Sequence, residues 1–302
     1  MCLTGPTASG KSAVALCLAE RLSGEIISAD SMQVYRGLDL GTAKPAPADR
    51  ARIPHHLLDV VGLEVAFNAA RWVDLARAAL DDIHRRDRIA IVCGGTGLYF
   101  RALLEGLDSM PPSAPQVRAD LENTPLPELL AELAERDPAE FATIDRANRR
   151  RVVRALEVIR LTGRPLSDQK TRGRNAAPGQ RPAVFVLRRE PADLRERIER
   201  RVDRMFADGL VEETRRLLDR GLAENRTALQ ALGYRQVVEH LRGQRDLTET
   251  VALVKQKTWQ FARRQMTWWR SWPALWMDVA ADEPAEVTAA AIEQIWRRAL
   301  GQ

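Results

Sequence analysis

The stretch Gly5-Pro6-Thr7-Ala8-Ser9-Gly10-Lys11-Ser12 decides the fold. It fits the P-loop pattern, in which a glycine, four residues and Gly-Lys-Ser/Thr sit between a strand and a helix. Glycines let the backbone wrap so that its N–H groups and the N-terminus of the next helix face an anion, and Lys11 adds a point charge. Ser12 is placed to meet a magnesium ion. The pattern reports a bound pyrophosphate and leaves the reaction open, since most such proteins cleave nucleotides and hold magnesium with an Asp ending a second apolar strand.

Only four residues precede Gly5, short of a typical strand of about five to six. Either the sheet has a clipped edge strand here or the recorded start is internal. Outward from the loop, residues 1 to about 105 alternate short apolar runs with amphipathic stretches, the βαβα pattern of a parallel sheet. Strands are expected at Cys2–Thr4, Glu25–Ala29 and Ile89–Cys93, and helices at Lys11–Arg21 and Ala66–Arg85, the second with Ala69, Val73, Ala76 and Leu80 on one face. From Met110-Pro111-Pro112 to about Gly179 the pattern turns helical, with Leu126, Leu129, Leu130 and Leu133 at i, i+3, i+4, i+7. The polar stretch Thr171–Arg181 leads to Ala183–Leu187, an expected last strand, after which long charged helices run to the end. The fold class is thus α/β: a P-loop NTPase-like parallel sheet flanked by helices, with an inserted all-helical subdomain. Residues 1–110 hold the first part of the core, 111–180 the insertion, and 181–302 the rest of the core with the C-terminal helices.

Lys and Arg number 46 against 41 Asp and Glu, a net charge of +5 that favours polyanionic partners. Three cysteines and four histidines show no ligand or disulfide spacing, so no transition-metal site is expected and a reducing cytoplasm fits. No run approaches the ~20 apolar residues of a membrane helix. A monomer without an obligate protein partner is expected.

Ile89–Cys93 runs into Gly94-Gly95-Thr96-Gly97 with no Asp, whereas Glu25–Ala29 ends in Asp30. In an open parallel sheet the ligand crevice lies beyond the carboxyl ends of the strands, so the loop, Asp30 and Thr96 should converge. Two readings of Asp30 stay open: it binds magnesium or positions a nucleophile, or it caps the next helix. Further along, Arg149-Arg150-Arg151-Val152-Val153-Arg154 places Arg150, Arg151 and Arg154 on one helical face and Val152, Val153, Leu156 and Ile159 on the other, at about 100° per residue. Such an arginine ridge suits phosphate backbones. The run Trp259–Trp272 interleaves aromatics with arginines, a composition that stacks bases and grips phosphates, although helical spacing sends at least half of its tryptophans to the core.

In order along the chain, GPTASGKS, IISADSMQVYRGLDLGTAKP, PHHLLDV, CGGTGLYFRALLEGL, RRVVRALEV, ALQALGYRQ and RRQMTWW together resemble the tRNA dimethylallyltransferase (tRNA isopentenyltransferase) family, bacterial type. The resemblance covers nearly the whole chain. It implies transfer of the dimethylallyl group from dimethylallyl diphosphate to N6 of the adenosine 3′ of the anticodon, with Mg2+ and without ATP. It gives Gly5, Thr7, Ala8, Ser9, Gly10, Lys11 and Ser12 to the diphosphate, Asp30 to proton acceptance as general base, and Thr7 and Arg215 to the leaving group. It carries tRNA contacts to Asp30, Ser31, Met32, Gln33, Thr96, Arg118, Gln230, Gly233, Tyr234, Arg235, Arg263, Arg264, Gln265, Trp268 and Arg270, beside the ridge of Arg150, Arg151 and Arg154. A stacked adenine must leave its stack to react, so a channel through the sheet domain is expected. The alternatives are a P-loop small-molecule kinase, which leaves the arginine ridge and tryptophans without a job, and an adenylate prenyltransferase. A non-enzymatic RNA-binding protein does not account for the loop.

Overall fold

The computed structural model describes residues 1–108, 110–170, 182–299 and 301. Its centre is a six-stranded sheet of β1 (Cys2–Thr4), β2 (Gly24–Ser28), β3 (His55–His56), β4 (Ile89–Gly94), β5 (Val184–Arg188) and β6 (Leu275–Asp278), in the order β3-β2-β4-β1-β5-β6. Every neighbouring pair is parallel. Successive strand residues serve opposite faces: Cys2, Ile27, Val92 and Val186 join one apolar cluster, while Leu3, Ile26, Ile91 and Phe185 join the other. Burial on both faces is what makes these strands read as continuous apolar runs.

β1 is three residues long and lies inside the sheet, paired with β4 on one side and β5 on the other. The helix expected from Ala66 begins at Ala69, because Asn68 caps it by accepting a hydrogen bond from the Arg71 N–H at 2.9 Å. Trp72, absent from the expected face, is its most deeply buried large side chain and donates from Nε1 to Ser28 O at 3.0 Å. Two strands escaped the sequence reading, β3 and β6. Both are edge strands too short to show alternation, and β6 interrupts the run of helices expected at the C-terminus, after Leu247–Arg270 and before Ala285–Ala299.

The chain divides into two compact units, Met1–Leu104 with Gln180–Gln302, and Glu105–Gly179. The expected linker Thr171–Arg181, with the boundary at 180/181, lies outside the described residues. The second unit is helical among its described residues, and Leu121, Leu129, Leu133, Val152, Val153, Leu156 and Ile159 form its core. No helix among the described residues is long and apolar enough to cross a membrane.

A buried charge ties the edge of the sheet. Glu25, in β2 and 4% exposed, accepts from Arg86 at 2.9 Å and meets His56 of β3 at 2.7 Å. The Arg86 hydrogen bonds, against the opposing pull of burial, hold its carboxyl down at about 2. Between that value and the ordinary carboxylate range the unfolded chain binds more protons than the folded one, so this stability is present at neutral pH and is lost as pH falls. Glu25→Gln should lower the melting temperature at neutral pH by roughly 5 °C, since it removes the buried charge that Arg86 and His56 share, while Arg86 keeps Asp82. It should also flatten the acid limb of melting temperature against pH between about 5 and 2. Parallel acid limbs for the two proteins would remove Glu25 from this role.

Candidate active site

The Gly5–Ser12 loop joins β1 to the Lys11–Arg21 helix, and its turns need left-handed backbone at Ala8 (φ 64°) and Gly10 (φ 95°). Val14 is the first residue of the helix whose N–H finds a backbone acceptor, Gly10 O at 3.1 Å. The N–H groups before it form the positive end of a helix with no side-chain cap. Lys11 donates from Nζ to Pro6 O at 3.2 Å. Two arginines grip the carbonyls of the loop: Arg189 Nε donates to Ser9 O at 2.8 Å and Arg197 Nε to Ala8 O at 3.0 Å.

A cavity of about 910 Å³ opens on this loop, lined by Ala8, Gly10, Lys11 and Ser12 together with Lys44, Arg50, Arg197, Arg200, Arg201 and Arg204. Burial pushes the Lys11 ammonium below its ordinary value, and the Arg201 charge adds to that while Asp30 opposes it. Burial likewise depresses Arg201, again against the attraction of Asp30. Lys11, Arg201 and Asp30 therefore share one electrostatic site. Cys93, at the end of β4, is pushed up to about 12 by burial and stays a neutral thiol.

Asp30 itself does not line the cavity, and neither do Thr7 and Thr96. One reading of Asp30 is met directly: Oδ1 accepts from the Met32 N–H at 2.8 Å and caps the following turn. Oδ2 accepts no hydrogen bond among the described residues, which leaves room for the other reading. Thr96 Oγ1 accepts from the Ser31 N–H at 3.0 Å and draws the β2 and β4 loops together. Gln33 spans Ser28 Oγ (2.9 Å) and Thr42 O (3.2 Å).

Several residues expected at the RNA turn out to be committed inside the fold. Gln265, 6% exposed, accepts from the Thr7 N–H at 2.8 Å and donates to Gly95 O at 2.9 Å. Trp268 is partly buried, its ring under the Arg101 guanidinium at 4.2 Å and its indole N–H packed where a Cβ on Gly97 would sit. Trp269 is fully buried, edge-on to Phe100 at 5.3 Å. Tyr234 is also fully buried, donating to Glu213 at 2.5 Å and accepting from the Gly41 N–H at 3.1 Å, and Gly233 beside it donates to Gln236 Oε1 at 3.0 Å. Gln230 is half-buried and donates to Arg226 O. Arg235, Arg263, Arg264 and Arg270 remain exposed.

In the helical unit, Val152, Val153, Leu156 and Ile159 are buried as expected and Arg150 and Arg151 are exposed. Arg154 is not part of a solvent ridge, because it donates to Glu157 Oε2 and to Pro111 O, each at 2.7 Å. Arg118 pairs with Glu122 at 3.0 Å and with Glu157 at 3.6 Å. The reason is Glu157, a fully buried carboxylate that requires cationic partners.

Arg215, expected at the leaving group, lies on the Leu210–Leu218 helix. It is 54% exposed, pairs with Glu212 at 2.5 Å along its own helix, and does not line the cavity. The arginines at the loop are Arg189, Arg197 and Arg201. Their signal was in the sequence: Arg197 and Arg201 each precede a residue of the apolar stripe Leu194, Ile198, Val202 on the Pro191–Ala207 helix, so they flank its buried face. For magnesium, Ser12 is exposed on the cavity wall, while no group of three or more His, Cys, Asp or Glu is gathered among the described residues. That donor set fits an ion held mainly by substrate phosphates rather than by a protein cage.

The family pattern described as IPP transferase matches residues 33–272. A protein named tRNA dimethylallyltransferase from Geobacter metallireducens is 48% identical over 270 residues, 88% of this chain and 87% of its own. One named tRNA dimethylallyltransferase 1 from Trichlorobacter lovleyi is 45% identical over 293 residues, 96% of each. The fold matches the crystal structure of the tRNA isopentenylpyrophosphate transferase of Bacillus halodurans with a TM-score of 0.72 at 35% identity, covering 98% of this chain and 96% of that one. It matches a eukaryotic dimethylallyltransferase acting on tRNA with a TM-score of 0.80 at 26% identity, covering 98% and 79%. With a cation-lined cavity on the Gly5–Ser12 loop of a parallel sheet and relatives this similar along almost its whole length, the chain belongs to the IPP transferase family.

Proposed function

We propose that this chain transfers the dimethylallyl group from dimethylallyl diphosphate to N6 of the adenosine 3′ of the anticodon in tRNA, releasing diphosphate. The observation that carries the reading is the cavity on the Gly5–Ser12 loop, which Lys11, Ser12, Arg197 and Arg201 line together. In the transfer, the C–O bond of the allylic diphosphate breaks as the C–N6 bond forms. The N6 proton passes to Asp30, whose Oδ1 is fixed by Met32 while Oδ2 is open. Negative charge grows on the departing diphosphate, where the N–H groups of the first helical turn, Lys11, Arg197 and Arg201 oppose it. The Thr7 hydroxyl is assigned to the bridging oxygen. Magnesium, when bound through Ser12 and the phosphate oxygens, would neutralise part of the same charge.

The target adenine must be extruded, a cost of about a few kcal/mol that is smallest for an unpaired loop base. The exposed Arg150, Arg151, Arg235, Arg263, Arg264 and Arg270 are the side chains assigned to the tRNA backbone. Arg201 takes the leaving-group role in place of Arg215.

The deciding measurement offers an unmodified anticodon stem-loop either labelled dimethylallyl diphosphate or labelled ATP, with AMP as competing acceptor. Label from the isoprenoid should reach the loop adenosine without ATP. Transfer of the ATP γ-phosphoryl would make the chain a kinase, and preference for AMP would make it an adenylate prenyltransferase. In the same assay Asp30→Asn should bind the stem-loop normally and lose at least about a hundredfold in single-turnover rate. A near wild-type rate would take the base role from Asp30.

The arginines separate cleanly. Arg201→Ala should slow single-turnover transfer by about a hundredfold, in line with loss of one charge stabiliser. Arg215→Ala, which removes an exposed ion pair, should stay within about twofold. The opposite ranking would return Arg215 to the leaving group.

A further inference from the structure

Gln265 was expected at the RNA, yet its amide is buried between the Gly5–Ser12 loop and the β4 loop. Its two bonds fix its orientation, because the Thr7 N–H can meet only an oxygen and Gly95 O only a nitrogen. Gly95 is required for this approach, since a Cβ there would collide with the Gln265 amide nitrogen. The consequence lies in the Pro6–Thr7 peptide. A trans peptide points its N–H and its C=O in opposite directions. With the Thr7 N–H drawn to Gln265, Pro6 O is turned the other way, where it accepts from the Ser9 N–H at 3.2 Å and from Lys11 Nζ at 3.2 Å. Pro6 brings no N–H of its own to hold this part of the loop.

We propose that Gln265 is a positioning residue for the transfer reaction: by orienting the Pro6–Thr7 peptide it anchors the Lys11 ammonium at the diphosphate site, and it ties that site to the helix bearing Arg263, Arg264 and Arg270. The claim rests on the proposed function for its link to transfer, but not for its link to diphosphate binding. Gln265 makes no contact with substrate in this role. The helix that presents arginines to RNA thus also sets the geometry of the phosphate loop.

Two variants test it, read first by affinity for inorganic diphosphate. Gln265→Met keeps the volume and deletes both bonds. It should weaken diphosphate binding about tenfold and slow single-turnover transfer at saturating stem-loop by at least as much, with stem-loop affinity within twofold. Gln265→Glu carries an oxygen against Gly95 O when ionised, but when protonated it reproduces both bonds. Its diphosphate affinity relative to wild type at the same pH should therefore recover as pH falls from 8 to about 5.5, whereas Gln265→Met shows no such recovery. Burial favours the protonated form; the Lys11 ammonium, which approaches the same Gly95 position as the Gln265 amide, opposes this, with Arg201, Asp30 and the Cys93 thiol acting on Lys11 in turn and Arg101 over the neighbouring Trp268 ring. Unchanged diphosphate affinity in Gln265→Met, or a Gln265→Glu profile parallel to wild type, would overturn the proposal. A wild-type chain that binds diphosphate but moves no prenyl group would instead sink the proposed function and leave the positioning claim to the affinities.

Discussion

The N–H groups that open the Lys11–Arg21 helix find no backbone acceptor and no capping side chain among the described residues, so this end of the sheet favours an anion. Much of the surrounding structure serves to keep that requirement in place. Arg189 and Arg197 hold the carbonyls of Ser9 and Ala8, and Gln265 holds the Thr7 N–H. The Thr7 N–H and the carbonyls of Pro6, Ala8 and Ser9 thus have partners, whereas the buried Ser9 hydroxyl has none, and the helix terminus stands open with Lys11 and Arg201 on the same cavity wall.

Three buried carboxylates play a corresponding part elsewhere. Glu25 joins β2 to β3 and to Arg86. Glu213 accepts from the Asp39 and Leu40 N–H groups and from Tyr234, fixing the segment that continues to the cavity wall at Lys44. Glu157 gathers Ser113, the Ala114 N–H and Arg154 at the start of the helical unit; burial works against its charge, and these hydrogen bonds hold its carboxyl below the ordinary range. A buried carboxylate left without partners is costly, so each of these segments has one well-satisfied arrangement.

The fold was legible wherever periodicity ran long enough. The Gly5–Ser12 loop, the Lys11–Arg21 helix and the stripe of Leu126, Leu129 and Leu133 follow from spacing, and the three-residue β1 from the loop motif that it precedes. β3 and β6 did not, because two to four residues carry no alternation and their existence depends on which edge of the sheet is free. The site was legible in its loop and in Asp30, whose motif or strand-end position is local. It was not legible in Gln265, Tyr234 and Trp268. Their partners lie 258 positions away for Gln265 and 193 for Tyr234, and a polar or aromatic side chain near basic residues reads as surface until the fold supplies a buried partner.

The arginines make the same point in energetic form. A guanidinium has five donors in a fixed fork, and a carbonyl or carboxylate within the chain satisfies it as well as a phosphate does. Arg154, Arg189 and Arg149 are taken up in this way, Arg149 by the carbonyls that end the Pro115–Asn123 helix, including Glu122 O at 2.7 Å. A run such as Arg149-Arg150-Arg151-Val152-Val153-Arg154 therefore overstates its capacity for RNA. Helical geometry carries Arg149 and Arg154 to acceptors at the two ends of the packed face, and leaves Arg150 and Arg151 outward. What takes up Arg149, Arg154 and Arg189 is therefore an oxygen that the fold has already fixed in place, the backbone carbonyls for Arg149 and Arg189 and the buried Glu157 together with Pro111 O for Arg154.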